Sequence, residues 1–423
     1  MTSHDDPATF RGQLQRGRGI ATRRAPWEPG AADAVYECVI SDPRWDRQVD
    51  SRDSYLANLL LHLDLSLEPI ERHLIASDED IDGVDLALQV LALLPFVGRR
   101  DAAAVLRRYA LEGRHWDAAL EAIGSVGTLK LSDLWVGLAN DIAAVHGVDG
   151  IRAVAWYGSE PWKTWAESHP EIRRILEDDT RSRRQSQVPG TRHRQARQTI
   201  SELTAEELIR RVAAGGPERQ LALEELGSRG DRLVLDLAED ADLRNAAGWI
   251  PGMPQALHHL GTAAVPRARA WATGDGILAE LGVRVLAEHG DDSDVAALLS
   301  ALRHDLDDGN WCSAEIPARG LGRLQARHAA DDLAAAWEST VHSLARQAFL
   351  DGLRGCAPEI AELFAEEGLW DCESAVQLVA CVTAADTGKV RTRLGELVDD
   401  PLKPEVHDAA STRLAALLGT DLV

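Results

Sequence analysis

The 423-residue sequence predicts an all-α protein, and three observations carry that expectation. Alternating β-branched runs bounded by hairpin turns, the mark of strands, are absent. Apolar residues recur instead at i, i+4 spacing, as in Ile277, Leu278, Leu281, Val285 and Leu286. Gly and Pro fall between such runs, where helix ends need them. A chain of this length exceeds one ordinary core, so several domains or a repeat array are expected.

Residues 1–75 fit the helical periodicity least. Pro26, Pro29 and Pro43 interrupt them, and Asp42-Pro43-Arg44-Trp45-Asp46 reads as an irregular turn, so the segment is expected to be an atypical N-terminal cap. Residues 76–178 read as helix pairs: Val84–Val97 with Asp101–Leu111, then His115–Ile123 with Leu131–Ala144. Residues 179–200 read as an Arg-rich linker with a Pro189-Gly190 turn. Residues 201–423 return to helix pairs. Pro217 and Pro358 each follow a turn and precede a Glu and an apolar run, the N1 placement in which the missing N–H costs nothing. Second helices are expected to begin near Asp294, Asp331, Pro358 and Lys389.

The pairs share a pattern. Ala222-Leu223-Glu224-Glu225-Leu226-Gly227 recurs as Ala256-Leu257-His258-His259-Leu260-Gly261, with looser versions near Leu286, Leu324, Leu353, Leu378 and Leu414. The mean step is about 31 residues, with irregular spacing. These stretches resemble HEAT or armadillo repeats, and the resemblance implies an α-solenoid of degenerate HEAT-like helix pairs that complete one another's cores by stacking. A tetratricopeptide array is the alternative, on the flavour of Ala110 to Leu120. HEAT-like arrays serve as transport scaffolds, phosphatase subunits, lyase components and DNA glycosylases, so the resemblance speaks for architecture and hardly for activity.

Charge narrows the classes. Acids number 68 against 45 Lys plus Arg, a net charge of -23 that disfavours nucleic acid and anionic membrane unless basic residues are concentrated. Two stretches concentrate them: Arg11 to Arg24, and the linker with Arg181, Arg183, Arg184, Arg192 and Arg194. The longest apolar run, Val90–Val97, is far below the roughly 18 residues of a spanning helix. The N-terminus shows no basic segment followed by an apolar one, so no secretory signal, no membrane association and a cytoplasmic location are expected.

No motif closes a catalytic or cofactor site. The five cysteines, Cys38, Cys312, Cys356, Cys372 and Cys381, form no C-x-x-C pair, and buried structural thiols are expected at Cys372 and Cys381. Asp78, Asp80 and Asp82 begin a calcium-loop pattern, but Gln89 stands where a bidentate Glu should close it, so no metal is expected. His258 and His259 are adjacent on a helix and point about 100° apart, which prevents them from sharing an ion directly. Gly274-Asp275-Gly276 lacks the preceding strand of a dinucleotide fold.

Tryptophan is the unusual component, with 12 residues against four Phe and four Tyr. Trp156, Tyr157, Trp162 and Trp165 cluster next to the linker. They read either as the closing layer of a core or as a surface for a protein partner. The resulting expectation is a non-catalytic scaffold that binds a protein partner through these rings and the linker arginines, without cofactor. Nucleic-acid binding through the Arg segments is the alternative, and an enzyme with a site assembled from distant residues the minor one.

Overall fold

A computed structural model describes residues 4–76, 81–126, 132–155, 159–184, 200–246 and 248–419. Every regular element among them is an α-helix or a 3-10 turn, and no strand occurs among the described residues. No helix among them is long and apolar enough to cross a membrane. The chain forms two compact units. One comprises residues 1–187, 341–344 and 363–423, the other residues 188–340 and 345–362.

In the second unit the helices pack in series. Helices Arg219–Ser228, Met253–Leu260, Ile277–His289, Trp311–Arg323 and Arg346–Cys356 each touch the next. Shorter helices, among them Leu233–Glu239, Val295–Asp307 and Ala330–Ser339, alternate with them. The run opens on a capping box at helix Ala205–Ala214. There the Thr204 hydroxyl accepts from the Glu207 amide, and the Glu207 carboxylate accepts from the Thr204 amide at 2.8 Å. Small residues permit the close crossings. A Cβ on Gly227 would stand 2.4 Å from the Ala256 carbonyl oxygen, and one on Gly355 2.0 Å from that of Gly322. The second copy of the Ala-Leu-x-x-Leu-Gly pattern uses its glycine differently. Gly261 takes φ +60° with open space where a Cβ would lie, so it ends a helix instead of admitting a neighbour.

The helix boundaries follow the expectation with two corrections. Pro358 does open the helix Pro358–Gly368. Pro217 does not open one: Gly215 and Gly216 both take positive φ, which leaves the proline in the turn, and the helix begins at Arg219. The helix expected over Leu131–Ala144 begins only at Leu138, because Gly137 adopts φ +76°, and it runs on to Val154 with a break at Gly147.

In the first unit helix Asp85–Leu93 is buried almost all round and touches helices Ala31–Ser41, Asp53–His62, Asp101–Glu112 and Trp116–Ser125. That matches its apolar composition, since a helix hydrophobic on every face belongs at the centre of a core. Each fully buried Leu there contributes about 1.5–3 kcal/mol. The Asp42–Asp46 turn is held from within. Arg44 donates twice to the buried Asp42 carboxylate, at 2.9 and 2.8 Å, and once to Asp85 at 3.0 Å. Residues near both chain ends belong to this unit. The Cys372 amide donates to the Gly17 carbonyl at 3.0 Å, and Arg18 makes a two-pronged buried pair with Glu367, both contacts 2.9 Å.

Candidate functional site

Of the aromatic residues singled out by sequence, Trp162 and Trp165 are 5% and 6% exposed. Their rings meet edge to face at 5.5 Å, and Trp116 joins Trp162 at 6.5 Å while stacking on His146 at 4.0 Å. These rings therefore form a core layer in the first unit and present no surface, because burial of large apolar rings outweighs their display. Trp156 and Tyr157 lie outside the described residues. Arg181, Arg183 and Arg184 lie on helix Pro170–Arg184, so the Arg-rich segment begins as helix. Their side chains, like all of Arg192 and Arg194, lie outside the described set.

The other basic stretch is consumed internally. Arg11 pairs with Asp5 and Glu37, Arg18 with Glu367, Arg23 with Glu366 and Arg24 with Glu28, while Arg16 donates to the carbonyls of Asp5 and Gly12. Two of the acids that neutralise this run, Glu366 and Glu367, lie far away in sequence. The calcium-like segment is treated similarly. Asp78 and Asp80 lie outside the described residues, Asp82 pairs with Arg47, and Gln89 is engaged by Arg44 and Asp85.

The densest polar constellation was not visible by spacing. Asp50 accepts at one oxygen from the His342 ring at 2.8 Å, the Ser343 amide at 2.9 Å and the Ser343 hydroxyl at 2.7 Å. Its other oxygen accepts from the Asp46 amide at 2.9 Å. Arg52, fully buried, donates to Ser343 Oγ at 2.8 Å and Cys372 Sγ at 2.9 Å. Glu373 accepts from the Ser51 amide at 2.7 Å and contacts the Ser343 hydroxyl. Lys403 donates to the Cys372 carbonyl at 2.7 Å. Burial opposes ionisation of Asp50. The His342 hydrogen bond, the Arg52 charge and the Asp46 and Ser343 donors outweigh it and hold the carboxyl well below the usual range.

The group resembles a hydrolytic arrangement in residue type only. The Ser343 hydroxyl is enclosed by Asp50, Glu373 and Arg52, and a nucleophile would need a face open to substrate. His342, Ser343, Asp50 and Arg52 are all buried. What the constellation does chemically is cross-link: it ties the short segment 341–344 to residues 50–52 and 371–373 of the same unit. Four of the five thiols are equally withdrawn, Cys312 being exposed. Burial pushes Cys38 up to about 12 and Cys356 and Cys381 up to about 11, so they stay protonated and unreactive.

The accessible candidate is an open groove of about 910 Å³ in the first unit, lined by Arg23, Pro26, Trp27, His62, Trp370 and Lys389 among others. Trp27 is 82% exposed on a 3-10 turn that Pro26 shapes. Trp370 is half-buried, with the guanidiniums of Arg23 and Arg393 at 5.3 and 5.4 Å from its ring. Such cation–π contacts fix the ring's orientation. Lys389 is exposed and has no hydrogen bond or ion pair among the described residues. The sequence signal for this site was Pro26-Trp27-Glu28-Pro29, a bulky ring inside a proline turn where no helix face can absorb it.

Compared with known proteins, the chain matches no family model, no curated protein and no solved structure.

Proposed function

We propose that this chain is a non-catalytic helical-repeat scaffold of the HEAT-like solenoid kind that holds a protein partner. The cytoplasm is the proposed setting. The observation that carries the reading is Trp27: a tryptophan 82% exposed at the rim of a groove that also presents Trp370 and an uncompensated Lys389. Exposed aromatics beside a pocket are the usual anchors of protein interfaces. Helices packed in series support the architectural part. Burial of the Asp50, His342, Ser343 and Arg52 constellation, out of reach of any substrate, supports the non-catalytic part. The groove suits a partner segment with an apolar or proline residue next to a carboxylate, since Lys389 offers positive charge beside the rings.

The nucleic-acid reading keeps less support, because every arginine from Arg11 to Arg24 already has a carboxylate or carbonyl partner. A polyanion would have to displace those partners against the chain's net charge of -23.

The test is capture of a partner with the full chain, identification, and reconstitution from the two purified proteins. Trp27→Ala should weaken the reconstituted complex by about 2 kcal/mol, roughly thirtyfold, with helicity unchanged. A complex of equal affinity in Trp27→Ala and Lys389→Glu removes the groove from the proposal, and failure to reconstitute any complex removes the scaffold reading.

A further inference from the structure

Beyond the scaffold reading, we infer that His258, Glu288 and His289 in the second unit form a binding site for a divalent transition metal of the zinc type. They are the one group of three or more His, Cys, Asp or Glu among the described residues whose donor atoms all lie within 4.8 Å of one another. His258 sits in the last turn of helix Met253–Leu260, and Glu288 and His289 end helix Ile277–His289. Two helices that touch therefore bring their C-terminal turns together, the ends at which a cation is favoured. Arg323 already answers part of one helix end, donating to the Leu286, Ala287 and Gly290 carbonyls. The pull on an ion rests accordingly on the Glu288 charge and the two imidazoles.

The geometry is close to what the ion needs. Glu288 Oε2 lies 2.7 Å from His258 Nδ1 and 3.6 Å from His289 Nε2. Bonds of about 2.0–2.2 Å in a tetrahedral array place donors about 3.3–3.5 Å apart, so small side-chain rotations suffice. The His289 ring is already set as a ligand. Its Nε2 is buried without a hydrogen-bond partner and faces the Glu288 carboxylate at 3.6 Å. An orphaned buried nitrogen is a standing cost that an ion removes.

His258 contributes its Nδ1, which already lies 2.7 Å from the Glu288 carboxylate on a side chain that is 60% exposed. Two nitrogens and one carboxylate oxygen select zinc, cobalt, nickel or copper over calcium and magnesium. Three protein ligands leave a fourth position for water. Bound there, the ion would staple consecutive helices of the series. His259 is the internal control: its ring lies 5.9 Å from that of His258 and belongs to no such group.

The experiment is calorimetric titration of the full chain with Zn²⁺, in a Cys312→Ser background that removes the exposed thiol, together with thermal melts at saturating Zn²⁺. The expected result is one Zn²⁺ per chain and a raised Tm. His258→Ala, at an exposed position that folding does not need, should lower affinity at least about tenfold, with a similar loss in Glu288→Gln. His259→Ala should bind as the parent does. Absence of Zn²⁺ binding by the parent overturns the site. Equal affinity in His258→Ala, or an equal loss in His259→Ala, overturns it as well, since either would place the ion elsewhere.

Discussion

Removing the Asp50 carboxylate should loosen the segment 341–344 before it loosens anything else. In Asp50→Ala the His342 ring, the Ser343 amide and the Asp46 amide all lose the acceptor they hold at 2.8–2.9 Å. Arg52, fully buried, also loses a carboxylate whose ionisation its charge supports. Each orphaned buried donor costs about 1–3 kcal/mol, and breaking a buried charged network by deleting one partner typically costs about 3–5 kcal/mol in all. The direct readout is hydrogen exchange at the buried Ser343 amide, which donates to Asp50. A loss of 3–5 kcal/mol accelerates exchange by about two to three and a half orders of magnitude. The dependence on pH checks the sign. Asp50 is held below its ordinary value in the folded state, so its contribution is complete above the unfolded value near 4 and is lost as pH falls toward the folded one. Parent and variant should therefore converge in stability under acid. An exchange rate changed less than tenfold at neutral pH would refute the claim that the constellation clamps this segment.

Three further outcomes follow from the packing. Burial pushes Asp305 up to about 6, with Glu280 and Asp308 adding to it and His304 opposing, so its charge opposes folding. The unfolded chain releases this proton first, so stability falls as pH rises from about 4 to 6, and Asp305→Asn should gain about 1–2 kcal/mol at pH 7 and nothing at pH 4 in urea titrations. Gly355→Ala should destabilise by about 1–3 kcal/mol, because its Cβ meets the Gly322 carbonyl. Gly395→Ala, with open space at its Cβ, should instead stabilise by about 0.5–1 kcal/mol, and matching signs in the two melts would contradict the crossing geometry. Trp165→Ala should cost about 3–5 kcal/mol in thermal or urea unfolding, and a loss below about 1 kcal/mol would mean that the ring is displayed and not packed.

The helical class was legible because periodicity is a local property. Ile277 to Leu286 and Val295 to Leu302 announce their helices with the face each buries, and the structure places both. The misplaced starts have local causes too weak to read from letters. Gly137, Gly215 and Gly216 set helix boundaries only because they adopt positive φ, and a glycine's letter does not say whether it will. The Ala-Leu-x-x-Leu-Gly pattern makes the same point. Gly227 is there because a neighbouring backbone approaches, and Gly261 because the chain must turn left-handed.

Sites were less legible because their partners are remote. Arg18 and Glu367 are 349 residues apart, and Asp50 and Ser343 are 293 apart, so no spacing rule connects them. A run of arginines free of neighbouring acids looks like a patch for a polyanion, yet a guanidinium recognises a carboxylate by geometry and not by proximity in sequence. In a chain with an acid excess, internal carboxylates reach the arginines before any external anion does. His258 and His259, adjacent and divergent, likewise cannot share an ion directly. Helix geometry forbids the neighbour as a co-ligand but says nothing about the end of the next helix in the series. That is where Glu288 and His289 arrive, and stacked helix ends are therefore the place to look for chemistry in a protein of this build.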